Sequence, residues 1–87
     1  MPTIAFTHHL RQHAPTAPVD VAAGTPRAAL EIVFTQHPQL RSYVLTEQGA
    51  LRRHIALFID GELRRDGLDA PVLADTEIYV MQALSGG

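Results

Sequence analysis

The chain has 87 residues, of which 46% are hydrophobic and 18% charged, and its formal net charge is −2 at pH 7. This length supports one small hydrophobic core, and the composition is typical of a folded domain rather than a disordered segment. The charge gives no basic footprint for nucleic acid. No apolar run reaches the length of a membrane helix, and the N-terminal residues lack the pattern of a signal peptide, so we expect a cytoplasmic protein.

Two residue types, cysteine and lysine, are missing from the sequence. Without cysteine the chain has no disulfide, no thiolate nucleophile and no Cys-based zinc site, and it cannot carry sulfur as a side-chain persulfide. Without lysine it has no side-chain amine through which copies of itself could be joined.

The N-terminal segment predicts a short β-hairpin. Residues 3–7 alternate between apolar and small or polar side chains, with Ile4 and Phe6 on one face, as in a half-buried strand. Residues 14–18 contain two prolines and supply turn chemistry. Residues 19–21 alternate again and predict a second, shorter strand.

A helix is predicted after this hairpin. It begins at Thr25-Pro26, because threonine is a favoured N-cap and proline is favoured at the first helical position. It ends at His37, because Pro38 disfavours helical geometry in the residue before it. Its apolar face is formed by Ala29, Leu30, Val33 and Phe34.

The second half of the chain predicts mostly strands. Residues 40–45 read as a short irregular or helical segment over the core, and residues 46–49 as a loop. Residues 51–59 form the clearest strand of the sequence. Its inward face is expected to consist of Ile55, Leu57 and Ile59.

A hairpin and a final strand complete the pattern. Asp60-Gly61 is a strong signal for a tight hairpin turn, since glycine tolerates the positive φ that such turns need. Residues 62–64 return as a short strand, and residues 67–75 form a loop before the last strand begins at Glu77. In that strand the inward residues Ile78 and Val80 alternate with the outward residues Tyr79 and Met81.

This order of elements predicts an α+β fold of the β-grasp type, in which a mixed sheet of four to five strands covers one main helix. The last strand is expected to lie in the centre of the sheet. We assign residues 1–83 to the β-grasp domain and residues 84–87 to a flexible C-terminal tail that ends in Gly-Gly. Two terminal glycines also occur in ordinary frayed chain ends, so the pair has functional meaning only in combination with this fold.

The sequence resembles the sulfur carrier proteins of the ubiquitin-like ThiS/MoaD superfamily, and most closely the carrier of the thiocarboxylate-dependent cysteine pathway. The resemblance is carried by Ile4-Ala5-Phe6 with Leu10-Arg11, by Gly49-Ala50-Leu51-Arg52-Arg53-His54-Ile55, by the Asp60-Gly61-Glu62 turn, and by Leu84-Ser85-Gly86-Gly87. Ala74-Asp75-Thr76-Glu77 replaces the acidic-Gly-acidic turn usual in the family. Gln82-Ala83 replaces the two prolines typical of molybdopterin synthase small subunits, which weakens that assignment.

The resemblance implies that the carboxylate of Gly87 is the reacting group. An adenylating enzyme would join it to AMP from ATP, an enzyme-bound persulfide would convert it to a thiocarboxylate, and a biosynthetic enzyme would accept the sulfur. Leu84, Ser85 and Gly86 would thread the tail into the partner's active site. The chain would be a co-substrate that binds no cofactor and is not itself an enzyme, unless it is a molybdopterin synthase subunit. The alternative is a ubiquitin-like modifier conjugated through Gly87.

Candidate contact residues lie elsewhere in the chain. If the inward residues are correctly assigned, then Phe58, Tyr79 and Met81 share the outer face of the sheet and are expected to dock a partner, unless a loop or a second copy covers them. Four arginines on the arms of the Asp60-Gly61 hairpin could recognise an acidic partner or simply be solvated: Arg52, Arg53, Arg64 and Arg65.

Histidines and carboxylates predict no further chemistry. His8, His9 and His13 lie close in sequence, but the segment reads as strand and loop and offers no accompanying carboxylate or cysteine, so we expect no metal site. The pairs Asp66/Asp69 and Asp75/Glu77 have no concave pocket that would raise a carboxyl pKa for acid–base catalysis. No phosphate-binding glycine loop is present, so ATP must be bound by the partner.

Overall fold

The computed structural model describes residues 1–82, in which five strands form one mixed sheet and two helices cover it. The strands are β1 (Thr3–Phe6), β2 (Val19–Asp20), β3 (Ile55–Ile59), β4 (Glu62–Leu63) and β5 (Glu77–Gln82). The helices are α1 (Pro26–Gln36) and α2 (Leu40–Val44), and short 3₁₀ turns occur at His8–Leu10 and Gly67–Asp69. No helix within these residues combines the length and apolar character that crossing a membrane requires.

The last strand, β5, lies in the middle of the sheet, as predicted. The strand order is β2-β1-β5-β3-β4. β5 pairs in parallel with β1 and antiparallel with β3, and the two outer pairs, β1–β2 and β3–β4, are antiparallel. Both edge strands have only two residues, and such short edges offer little template for further strand pairing. The α+β, β-grasp prediction is therefore confirmed.

Helix α1 supplies one side of the hydrophobic core. The Oγ1 of its N-cap Thr25 accepts a hydrogen bond of 3.1 Å from the backbone N–H of Ala28, which satisfies one of the unpaired donors at the helix start. The four residues of the predicted apolar face are all buried. They join one hydrophobic cluster with the inward side chains of the sheet, and burial of each of the three larger side chains stabilises the fold by roughly 1.5 to 3 kcal/mol.

The predicted long strand at residues 51–59 is too long at its N-terminal end. β3 begins at Ile55, because Leu51 forms an isolated bridge to Leu45 and the segment between turns back on itself. The backbone N–H of Arg52 donates to the carbonyl of Val44, and the N–H of Ile55 donates to the carbonyl of Arg52, each at 3.0 Å. Local pairing with the end of α2 therefore replaces pairing with the sheet.

Asp60 joins the β3–β4 hairpin to the start of β5, which the sequence did not indicate. Asp60 and Gly61 both have positive φ, at 52° and 82°, as a two-residue primed turn requires. The Asp60 carboxylate accepts a hydrogen bond of 2.9 Å from the N–H of Glu77. The Asp60 N–H donates to the Glu77 carbonyl at 2.8 Å. One turn residue thus closes the hairpin and sets the start of the central strand.

Arg27 forms a second long-range connection, between α1 and two loops. Its Nε donates to Asp69 at 2.8 Å and its Nη1 donates to the carbonyl of Gly49 at 2.6 Å. Gly49 has a φ of 84°, so this close approach uses a backbone conformation that glycine adopts without strain. The hydrogen bond from Arg27, with a smaller contribution from its charge, lowers the pKa of Asp69 despite partial desolvation.

Replacing Asp60 tests the hairpin connection. Asp60→Ala removes the acceptor for the Glu77 N–H and leaves a residue without a polar side chain in a left-handed conformation, so the free energy of unfolding should fall by about 1 to 3 kcal/mol. Asp60→Asn keeps both the acceptor and the tolerance of positive φ, and should stay within about 0.5 kcal/mol of the wild type. Urea unfolding measures both; equal midpoints for Asp60→Ala and the wild type would contradict the assignment.

The Arg27–Asp69 pair predicts a pH-dependent contribution to stability. Because the pKa of Asp69 is lowered in the folded state, the pair stabilises the fold above the unfolded-state pKa of that carboxyl, and the contribution disappears as pH falls through the folded-state pKa. Asp69→Asn should therefore lower stability slightly at neutral pH and not at strongly acidic pH, as followed by urea unfolding at both. If Asp69→Asn lowers the free energy of unfolding equally at neutral and strongly acidic pH, the contribution of the pair is not ionic.

Candidate functional site

The candidate site begins at the C-terminal end of β5, where the chain is held on both sides. Gln82 is the register partner of Ile55 in β3, and its N–H donates to Thr7 Oγ1 at 3.1 Å on the side of β1. The N–H of Thr7 in turn donates to the carbonyl of Val80 at 3.0 Å. Since β1 ends at Phe6 and β3 begins at Ile55, Gln82 lies at the margin of the sheet. The tail residues Leu84, Ser85, Gly86 and Gly87 lie outside the described residues, so their predicted roles stay predictions.

The outer face of the sheet carries a continuous apolar row, which we call the transverse row. It crosses four strands through direct register partners: Leu63 opposite Phe58, Phe58 opposite Tyr79, and Tyr79 opposite Ala5. Phe58 and Tyr79 are half-buried, and Leu63 is 53% exposed. Met81 follows on β5, opposite Ala56. The structure thus places Phe58, Tyr79 and Met81 together on the outer face.

A shallow, open depression of about 490 Å³ runs along this face. Its walls combine apolar side chains with a polar margin near the start of β5. The lining residues include Thr3, Ala5, Pro18, Phe58, Gly61, Glu77, Tyr79 and Met81. An open, largely apolar surface of this kind fits a protein contact better than an enclosed small-molecule site. Leu63 and Ala5 were not singled out from the sequence, and only the strand register brings them to the same row.

Three of the four arginines, Arg52, Arg53 and Arg65, lie off the arms of the hairpin, and for these the prediction is wrong. Arg64 continues the second arm, because its backbone N–H donates to the carbonyl of Leu57 in β3 at 2.8 Å. β3 starts after Arg52 and Arg53, and β4 ends before Arg64 and Arg65. The guanidinium of Arg65 donates to the carbonyl of Ile55 at 2.7 Å. That of Arg52 donates to the carbonyl of Ser42, and that of Arg64 lies 4.0 Å from Asp66. Two of the four therefore bind main-chain carbonyls, while Arg53 is exposed in the turn before β3.

The histidines are dispersed among different surroundings. His8 and His9 lie in a 3₁₀ turn rather than a strand, with their rings edge to face at 5.9 Å. The ring of His13 stacks on that of Tyr43, with centroids 4.7 Å apart. His37 ends α1, as expected, whereas His54 lies in the turn before β3 and not in a strand. Residues 1–82 contain no group of three histidine, cysteine or carboxylate side chains that could hold a metal ion.

The carboxylates show no arrangement for acid–base chemistry within the described residues. Asp66, Asp75 and Glu77 are exposed. Asp69 has a lowered pKa, because of its hydrogen bond from Arg27, and this direction is opposite to the one that a general acid at neutral pH needs. The described residues hold Gln82 in place, and the outer face of the sheet presents an apolar surface beside it.

Several solved structures have the same fold as this chain. No protein-family model and no curated protein sequence matches the chain. Among solved structures, a chain of the BexX/CysO complex of Amycolatopsis orientalis matches with a TM-score of 0.86 and 23% identity, each chain being covered over 100% of its length. SAMP1 of Haloferax volcanii matches with a TM-score of 0.79 and 28% identity, over 99% of this chain and 98% of SAMP1. CysO of Mycobacterium tuberculosis matches with a TM-score of 0.82 and 17% identity, over 97% of this chain and 100% of CysO. The chain therefore has the same β-grasp fold as CysO and SAMP1.

Proposed function

We propose that the chain is a sulfur carrier protein whose C-terminal Gly87 is activated as an adenylate, converted to a thiocarboxylate and used as a sulfur donor. The observation that carries this proposal is the anchoring of β5. The central strand is paired with β3 on one side as far as the Ile55–Gln82 register pair, and on the other side the Gln82 N–H donates to Thr7. The sequence that follows directly ends in two glycines. The reaction requires ATP, and we assign it to the cytoplasm.

The proposed chemistry proceeds in three balanced steps. The Gly87 carboxylate attacks the α-phosphorus of ATP, which releases pyrophosphate and leaves an acyl adenylate. The terminal sulfur of an enzyme persulfide then attacks the acyl carbon and displaces AMP. A second thiol of the enzyme breaks the resulting acyl disulfide, which leaves the thiocarboxylate and an enzyme disulfide. Because this chain has no cysteine, every sulfur in these steps comes from the partner.

The carrier itself contributes position rather than catalytic groups, and we propose that it is not an enzyme. Reacting atoms must approach to about 3 to 3.5 Å. Residues 84–87, when extended at roughly 3.3 Å per residue, reach about 13 Å, which is enough to enter a recessed active site while the folded body stays outside. Leu84, Ser85 and Gly86 are the threading segment, and the lack of a β-carbon at Gly86 and Gly87 keeps that segment thin.

The outer face of the sheet is the proposed docking surface for the adenylating enzyme and for the enzyme that accepts the sulfur. The outer face that holds Phe58, Tyr79 and Met81 extends to the described end of β5. A partner that covers this face is therefore within reach of the tail. One similar chain was solved in the BexX/CysO complex, which supports a partner-bound function. The sulfur would enter cysteine, a related metabolite or molybdopterin.

Conjugation to other proteins is the second candidate. It is favoured by the 28% and 26% identity to small archaeal modifier protein 1 of Haloferax volcanii in two structures. Activation of Gly87 as an adenylate is common to both functions, and only the attacking group differs: a persulfide sulfur or a target amine. Because the chain has no lysine, conjugation would add single copies and not chains linked through lysine.

Intact mass spectrometry separates the two candidates. The purified chain is incubated with its adenylating enzyme, ATP and a persulfide source. A carrier should gain the mass difference between one sulfur and one oxygen atom, in an ATP-dependent manner. A modifier should instead give higher-mass conjugates when lysate proteins are added. If neither product forms although the adenylating enzyme activates a known carrier, the proposed function is wrong.

Gly87→Ala tests the tail directly. A β-carbon next to the reacting carboxylate should displace it in the partner's active site, and we expect the loading rate to fall at least about tenfold, because misplacement by 1 Å costs up to roughly a hundredfold. Gly24→Ala is the matched control: it adds the same methyl group in the body, where nothing lies within 4 Å of the new β-carbon. Both variants should unfold at the wild-type urea midpoint. Wild-type loading of Gly87→Ala would rule out this use of the tail.

A further inference from the structure

The two ends of the sheet carry opposite charge on the exposed surface. At the start of β5, Asp20 and Glu77 are both register partners of Thr3, one on each side of β1. Both side chains are exposed and lie on the outer face, since Thr3 alternates with the buried Ile4. We call Asp20 and Glu77 the acidic row. Asp60, also exposed, is hydrogen-bonded to the backbone of Glu77 and adds a third negative charge at this end.

The opposite end of the sheet, where β5 reaches Gln82, carries basic and imidazole side chains. Two segments that flank this end contain no acidic residue: residues 7–13, which follow β1, and residues 48–54, which precede β3. A third segment, residues 64–66 after β4, contains two arginines and one exposed carboxylate, Asp66, which lies 4.0 Å from Arg64. Arg65 is hydrogen-bonded to the carbonyl of Ile55 and belongs to the same end. We call the exposed side chains here the basic rim; they are His8, His9, Arg11, Arg53, His54 and Arg65.

The transverse row lies between these two charged regions. Tyr79 lies two residue positions from Met81 on the rim side and two from Glu77 on the acidic side. Five residue steps separate Glu77 from Gln82, which corresponds to roughly 17 Å at about 3.3 Å per step. This exceeds the Debye length of about 8 Å at physiological ionic strength, so the two ends present separate fields to a partner.

We propose that the outer face binds its partner in one orientation that is set by charge: an apolar segment of the partner covers the transverse row, with carboxylates toward the basic rim and basic groups toward the acidic row. The biological meaning rests on the proposed function, because this orientation places the partner's acidic side next to the chain end. Beyond the proposed function, this inference specifies which end of the partner surface is acidic and which is basic.

These charges are expected to set the orientation of the bound partner rather than to raise its affinity. Exposed ion pairs contribute little to binding energy, about 0 to 1 kcal/mol each, whereas like charges brought together in the reversed orientation are penalised. The transverse row runs across the strands, whereas the acidic row and the basic rim lie at opposite ends of the strands. The charges therefore give a partner on this face a direction along the strands.

A spin-labelled peptide tests the proposal on the full-length chain without any enzyme. The probe is a blocked peptide with three glutamates, a central Leu-Phe-Leu segment and three lysines, and it carries the nitroxide label at the glutamate end. In NMR spectra at low ionic strength, the label should broaden the amides of His8, Arg53 and His54 and spare those of Asp20 and Glu77. Moving the label to the lysine end should reverse the pattern.

Charge-reversed variants make the test decisive. The quadruple variant Asp20→Arg, Glu77→Arg, Arg53→Glu, His54→Glu should bind the same peptide in the opposite orientation, so that the glutamate-end label broadens the start of β5. Glu47→Arg, in an exposed loop, is the control and should keep the wild-type pattern.

Three outcomes overturn the proposal: no saturable binding of the peptide at millimolar concentration, equal broadening at both ends, or an unchanged pattern in the quadruple variant. None of these readouts depends on Gly87 or on ATP. The oriented surface can therefore fail while sulfur loading succeeds, and loading can fail while the oriented surface is confirmed.

Discussion

The constraint on which the structure depends is the pairing of β5 on both sides. A central strand has its backbone donors and acceptors satisfied by two neighbours, and an end placed there is fixed more firmly than an edge or a loop. Here the pairing continues to Gln82, where the hydroxyl of Thr7 takes the place of a further β1 residue. Gln82, the last described residue, is thereby held at a defined position at the end of the central strand.

The alternation of side chains along β5 gives the strand two different faces. Ile78 and Val80 are buried at 2% and 0% exposure and belong to the core, while Tyr79 and Met81 point outward. The same strand therefore holds the fold together on one face and offers a contact surface on the other. A shift of one residue in register would exchange the two sets and expose the core. Asp60, which fixes the first residue of β5 to the hairpin, opposes such a shift.

Much of this arrangement follows from local sequence patterns. The Thr25-Pro26 helix start, the Asp60-Gly61 turn and the alternation in β5 are short-range signals, and the structure has all three. The start of β3 could not be placed, because Leu51 is apolar and fits a strand equally well, and its bridge to Leu45 depends on where α2 ends. The predicted strand was too long because local pairing with the segment after α2 diverts the backbone before Ile55.

The candidate site could likewise be predicted from the sequence only in part. The outward orientation of Phe58, Tyr79 and Met81 follows from alternation, so the sequence was enough to group them. Leu63 and Ala5 join the transverse row only through pairing between strands distant in sequence, and the hydrogen bond between Arg27 and Asp69 spans 42 positions. Such partners carry no local pattern that would reveal them. The arginines were misplaced for the same reason, since their neighbours depend on the true ends of β3 and β4.

A carrier and a modifier share the fold and the activated glycine, and they differ in what is attached to the chain end in the cell. The most direct measurement is the intact mass of the untagged protein isolated from its own cells under conditions that prevent hydrolysis. A carrier should contain a fraction in which one oxygen at Gly87 is replaced by sulfur, located there by fragmentation and absent when the adenylating enzyme is deleted. A protein with an unmodified carboxylate in every state of sulfur supply, or with sulfur at another position, would contradict the account.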